Sequence, residues 1–173
     1  MPLRPWIGKE PVRTTRYSPG YYPVYRTFRD RATVAIAGTI ELPHDISSGE
    51  LWRLVSIVGV DRYVGGDNTQ YIRAFVGQGD PIVSHVLMQH NFGEYNAAYS
   101  GVRFCVMPEA GGVVYANDEG VGNNYLVYSL PATSSILTDG QRIETVLVNA
   151  AVGDQYDIYT TVEVIQNQSA EID

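Results

Sequence analysis

The chain of 173 residues holds one cysteine, Cys105, which excludes an internal disulfide and any Cys-rich zinc site. A lone cysteine fits assembly or folding inside a cell. No run approaches the roughly 18–20 apolar residues of a spanning helix, so no membrane role is expected. The opening MPLRPWIGKEPV is not expected to act as a signal peptide, because proline, glycine and charge interrupt it before an apolar stretch forms. Helical periodicity is missing as well: no window of eleven or more residues repeats apolar positions at 3.6. SSGELWRLV imitates a helix start, but the β-branched run that follows favours a strand.

Catalytic motifs are also lacking. There is no G-x-S-x-G elbow, no HExxH, no spaced CxxC, and no lysine-bearing phosphate loop. Ser84 and His85 are adjacent, and neighbours on a strand point to opposite faces, so they cannot meet as nucleophile and base. His44, in LPHDISSG, reads as a solvated loop histidine, and His85 as a structural one. The spacing of His85, His90 and Glu94 does not demand a metal. Asp67, Asp80, Glu94, Asp118 and Glu119 read as solvated loop acids, and DRYVGGDNTQ lacks the ligand alternation of a calcium loop. GQGDP, EAGGVVY and EGVGNN read as hairpin turns. Cys105, between Phe104 and Val106, reads as a small buried hydrophobe. No enzyme, metal or cofactor is expected.

What is present divides in two. Residues 1–31 carry seven basic groups against two acidic ones, and the rest carries five against seventeen. Of the twelve basic residues only Lys9 is lysine; arginine's rigid fork suits partly desolvated protein contacts. Five of the nine prolines lie in the first 31 residues, which favours an extended strip with a turn at Ser18-Pro19-Gly20. Disordered tails are poor in aromatics, yet this strip holds Trp6, Tyr17, Tyr21, Tyr22, Tyr25 and Phe28. Aromatics and arginine are the residues enriched at interfaces. The strip is therefore expected to order against its own domain, a sister subunit or a larger partner. Its aromatics and arginines could stack on single-stranded bases, but the acidic body weighs against nucleic acid and for a protein partner.

From residue 32 short runs alternate between turn signals. TVAIAGTIE, QYIRAFV, IVSHVLM, GVRFCVM, GVVYA, NYLVYSL, RIETVLVNA and QYDIYTTVEVI are expected strands. LWRLVSIVGVD is apolar on nearly both faces and is expected to be central and covered. In the last strand Tyr156, Ile158, Val162 and Val164 face one way and Gln155, Asp157, Tyr159, Thr161 and Glu163 the other. In TVAIAGTIE, Val34, Ile36 and Ile40 share one side. SSGELWRLV and AVGDQYDIY echo each other, a glycine and a carboxylate opening a long strand at a tight solvent-facing turn; TDGQRI has the same form. The fold class is all-β, an antiparallel sandwich of eight or nine strands of jelly-roll type. The expected domains are an arm at 1–31, the sandwich at 32–166 and a polar tail at 167–173.

In organisation, residues 13–165 resemble the structural proteins of tailed-bacteriophage virions, above all capsid decoration (cement) proteins. The likeness rests on the proline- and arginine-bearing arm followed by strands entered through GELWRLVSI, LTDGQRI and GDQYDIY. It implies a homo-oligomer, a trimer above other states, made in the host cytoplasm and carried on the capsid surface. The partner would be the major capsid protein or another virion protein. It also gives the strip a purpose: Arg13, Arg16, Tyr17, Tyr21, Tyr22, Tyr25, Arg26, Phe28 and Arg29 would grip a capsid surface or an adjacent subunit. Two other readings stand beside it. One is a carbohydrate-binding, host-recognition sandwich with Tyr95, Tyr99 or Tyr115 as its platform; the other is a head–tail connector or tail component.

Overall fold

The computed structural model describes residues 23–64, 70–78, 85–92, 99–118 and 124–166. These residues build two β-sheets packed face to face. One sheet runs in the order β1 (Val24–Thr33), β11 (Gln155–Gln166), β3 (Glu50–Arg62), β6 (Gly101–Met107), β8 (Asn124–Pro131), β7 (Val113–Asp118), with the short β9 (Ile136–Leu137) beside the start of β3. The other runs β2 (Gly38–Asp45), β10 (Gln141–Ala150), β4 (Tyr71–Gln78), β5 (His85–Phe92). All pairings are antiparallel except β6 with β8, which is parallel, so the larger sheet is mixed rather than purely antiparallel.

The core is the shared filling of the two sheets. Trp52, Leu54, Ile57, Val102, Phe104, Val106, Ile158 and Val162 come from the larger sheet, and Ile72, Ala74, Val76, Phe92, Ile143 and Leu147 from the smaller. Phe92 stacks on Phe104 at 4.9 Å and meets Tyr128 edge-on at 5.3 Å, which ties the two layers together through aromatic contacts. Leu54 and Ile57 are both buried although three residues apart. A bulge in β3 opposite Thr161 and Val162 makes Val55 the extra residue and resets the alternation.

Strand β3 is central, as expected, but Val58 on its outer face is exposed. Alternation in β11 is as read: Ile158, Val162 and Val164 are buried, and Asp157 and Tyr159 look outward. The run TVAIAGTIE is not one strand. It bends between β1 and β2 where the chain passes from one sheet to the other, which leaves Ile36 83% exposed. Gly49 and Gly153 hold φ of 81° and 97° at the third position of turns closed by Glu50 N–H to Ser47 O and Asp154 N–H to Ala151 O. Positive φ there suits glycine. Gly101 is fixed by space: a Cβ would lie 2.0 Å from the Asp61 carbonyl oxygen. Eleven strands form among the described residues. Those not expected are β9 and β1, the latter crossing the boundary placed between residues 31 and 32.

Candidate functional site

Of the strip residues expected to grip a partner, Arg13, Arg16, Tyr17, Tyr21 and Tyr22 lie outside the described residues. Tyr25, Arg26, Phe28 and Arg29 lie in β1, which pairs with β11 over ten residues. Three of these four are engaged within the chain. Arg26 donates from both guanidinium nitrogens to Glu50 at 2.9 Å and lies over the Trp52 ring at 5.5 Å. That fork, then the 2.7 Å bond from the Trp52 indole, holds the Glu50 carboxyl below its ordinary range. Arg29 donates twice to Asp157 at 3.1 Å and lies 5.2 Å from the Tyr159 ring centre, and its hydrogen bonds lower the Asp157 pKa. Phe28 turns inward, stacked on His44 at 4.3 Å and tilted against Trp52 at 5.4 Å. Tyr25, 60% exposed, is turned to solvent.

Two truncations separate the roles of the strip's halves. Deleting residues 1–31 strips the cover from Trp52 and breaks the Glu50 fork, so a drop of about 3 kcal/mol or more in urea stability is expected. Deleting 1–22 is expected, at protein concentrations below any assembly, to leave stability within about 0.5 kcal/mol of the full chain. Equal stability of the two truncated chains would show that β1 contributes nothing to the body.

The outer face of the larger sheet is the second feature. Register places Tyr159 of β11, Val58 of β3, Cys105 of β6 and Ser129 of β8 side by side. The next row holds Asp157, Val60, Arg103 and Val127. Together they line a shallow depression of about 510 Å³. A second, of about 560 Å³, lies further along the same strands between Tyr25, Val55, Ser56, Met107, Glu109 and Glu163. The outer face of an antiparallel sandwich strand is ordinarily polar, yet Val58, Tyr159, Met107 and Tyr25 are all at least 36% exposed here. Two carboxylates on this face are matched within it, Asp157 by Arg29 and Glu163 by Arg53.

Cys105 belongs to that face, half-buried, and is not the core residue expected. In a strand Phe104 and Cys105 cannot both point inward, and Phe104 fills the core. Burial raises the thiol's pKa, so Cys105 is not an activated nucleophile. The sequence signal for this face was the double-sided apolar character of LWRLVSIVGV together with Tyr159 on the polar side of β11.

A third cluster closes one end of the sandwich. Asp154 is fully buried and accepts from Val64 N–H at 2.9 Å and Ala151 N–H at 2.7 Å. Its backbone carbonyl accepts from Val34 N–H at 2.8 Å, so one residue joins three connections. Asp61 is 3% exposed, and its Oδ1 has no hydrogen-bond partner among the described residues. Burial, then the charge of Asp154, pushes its pKa up to about 8. The carboxylates of the two echoing turns are thus tied into the fold and not solvent-facing: Glu50 binds Arg26, and Asp154 is interior.

His44 is no solvated loop residue either. It lies in β2 between Phe28 and Asp30, its Nε2 3.0 Å from the Asp30 carboxylate. His90 donates from Nε2 to the Pro131 carbonyl at 2.7 Å. Among the described residues no three His, Cys, Asp or Glu side chains gather as metal ligands. Of the platform tyrosines, Tyr99 is half-buried, Tyr95 lies outside the described residues, and so does the Tyr115 side chain. The loop acids Asp67, Asp80, Glu94 and Glu119, and Ser84, lie outside them too.

No protein-family model matches the sequence. No curated protein matches it. A solved structure described as the crystal structure of the 60-mer BFDV capsid protein is similar over 83% of this chain and 91% of that one, at 10% identity and a TM-score of 0.35.

Proposed function

We propose that the chain is a non-enzymatic virion structural protein that decorates and braces a capsid shell, with the N-terminal strip as its grip and the two-sheet domain as its rigid body. One observation carries the reading: a basic, aromatic strip leads into an edge strand of a sheet whose outer face holds apolar side chains that its own fold leaves uncovered. An exposed apolar patch of this kind marks an interaction surface. Arm aromatics would supply affinity and arginine–carboxylate pairs the register. Many modest contacts repeated over a shell would multiply through avidity.

Support for a jelly-roll body lies in the wrapping order. Strands β1, β3, β6 and β11 share one sheet and β2, β4, β5 and β10 the other, with β11 between β1 and β3 and β10 between β2 and β4. Interlocked Greek keys produce such an order. On this reading β7, β8 and β9 are an insertion that widens one sheet. A trimer on the capsid surface is the expected state, with synthesis in the host cytoplasm and the major capsid protein as partner.

Virus particles purified on a density gradient from the source of this sequence test the proposal. The chain is expected to band with them in an amount comparable with the main shell protein. Particles that band without it would overturn the reading. A ring's worth of copies per particle would move it from the shell to the connector or tail.

A further inference from the structure

Among the described residues, the outer face of the larger sheet is a broad surface that the fold's own side chains do not explain. Its central row, Tyr159–Val58–Cys105, is apolar, and two of its carboxylates, Asp157 and Glu163, are matched by arginines of the same face. Such a surface suits an occupant that brings aromatic and proline side chains to the centre and positive charge to the rim. Glu109, exposed at the edge of the second depression, is a rim acid of that kind.

We propose that this face receives the N-terminal strip, residues 13–22, of a second copy of the chain. The inference rests on the structural-protein reading above and names the partner of that strip. Composition fits: RTTRYSPGYY brings three tyrosines and a proline for the apolar row and two arginines for the rim. Charge draws the strip to the body as a whole, since residues 1–22 hold four basic groups and one acidic, and the remainder eight and eighteen, while on this face Arg29, Arg53 and Arg103 stand with Asp157, Glu163 and Glu109. Proline-bearing segments dock on aromatic-lined grooves because little of their backbone freedom remains to be lost.

Reach allows the exchange. Twenty-two residues extend to about 70 Å, and a domain of this size is about 40 Å across. A return onto the same chain's face needs the strip to reverse its direction. A neighbour's face needs no such reversal. Repeated around a closed ring, the contact makes each copy both donor and acceptor.

The chain carries its own reporter, because its sole thiol lies in the proposed footprint. Alkylation of Cys105 by iodoacetamide in the full chain is expected to slow roughly tenfold as protein concentration rises through the assembly range. A full-length variant with Tyr17, Tyr21 and Tyr22 replaced by serine, checked for an unchanged unfolding midpoint, is expected to react fast at every concentration. Slow alkylation of the natural chain at all concentrations would mean docking on its own face and would overturn the proposal. Fast alkylation throughout would overturn it too, as would concentration-dependent slowing that the serine variant shares. Particle association is read separately. A chain that bands with particles yet shows no strip-dependent protection keeps the virion role and loses this one.

Discussion

Asp154→Ala is expected to cost about 4 kcal/mol of folding stability. The estimate is two hydrogen bonds to a charged group at about 1.5–3 kcal/mol each, less some relief for Asp61. The Val64 and Ala151 amides both point at this carboxylate, which is fully buried. Without it each amide loses its acceptor inside a part-buried turn. The damage extends beyond one turn because the Val34 amide also bonds the Asp154 carbonyl, so the β1–β2, β3–β4 and β10–β11 connections loosen together. Asp154→Asn should fall between the two proteins: its carbonyl oxygen can serve one amide, but its NH₂ then faces the other. Urea midpoints at neutral pH decide the matter. A loss below about 1 kcal/mol for the alanine variant would mean that water replaces the carboxylate freely.

How far the sequence foretold this fold depends on whether each element is specified locally. β11 was legible because Ile158, Val162 and Val164 alternate with polar residues over its whole length. The turns before β3 and β11 were legible because a glycine at positive φ is a local requirement, met by Gly49 and Gly153. Strand β1 was not. Its Arg26, Phe28 and Arg29 read as interface residues, and their partners Glu50, Trp52 and Asp157 are 24 or more positions away in the chain. Among the described residues these side chains meet partners of the same chain. β9 is two residues long and has no period to detect. The parallel pairing of β6 with β8 depends on where β7 lies, which no window of sequence contains.

The candidate surface shows the same limit. Parity alone, with Phe104 taken as core, would have turned Cys105 outward. That Cys105 then lies beside Val58 and Tyr159 needs the strand order, with β3 between β11 and β6. The acidic end was hidden for a different reason. Asp61 and Asp154 each stand beside a turn or strand end, where carboxylates are ordinarily solvated, and only the packing of three connections buries them.

Asp61→Asn is expected to stabilise the protein at pH 8 and to leave it unchanged near pH 4. In the unfolded chain this carboxyl ionises near 4. In the fold, burial and then the charge of Asp154 raise its pKa to about 8. Burial raises the pKa of Tyr63 and Tyr156, and the charge of Asp61 adds to it in both, after that of Asp30 in Tyr156. Between pH 4 and pH 8 the folded protein therefore keeps a proton that the unfolded chain has released, so stability falls as pH rises, by at most about 1.4 kcal/mol per unit. Below that window both states are protonated and the penalty vanishes; above it the penalty is complete. Asparagine fills the same space, retains a carbonyl oxygen and never ionises. The gap between the two proteins should open from zero near pH 4 to roughly 3 kcal/mol at pH 8, a figure reduced for relaxation and water entry around a buried charge. Glu50 and Asp157, whose pKa values are lowered, tilt stability the other way, losing their contribution as pH falls through their folded values. They do so equally in both proteins, so the difference between the curves isolates Asp61. Urea midpoints from about pH 4 to about pH 9 measure it. Parallel curves would show that Asp61 titrates alike in the folded and unfolded states, and that the buried oxygen with no partner costs the fold nothing.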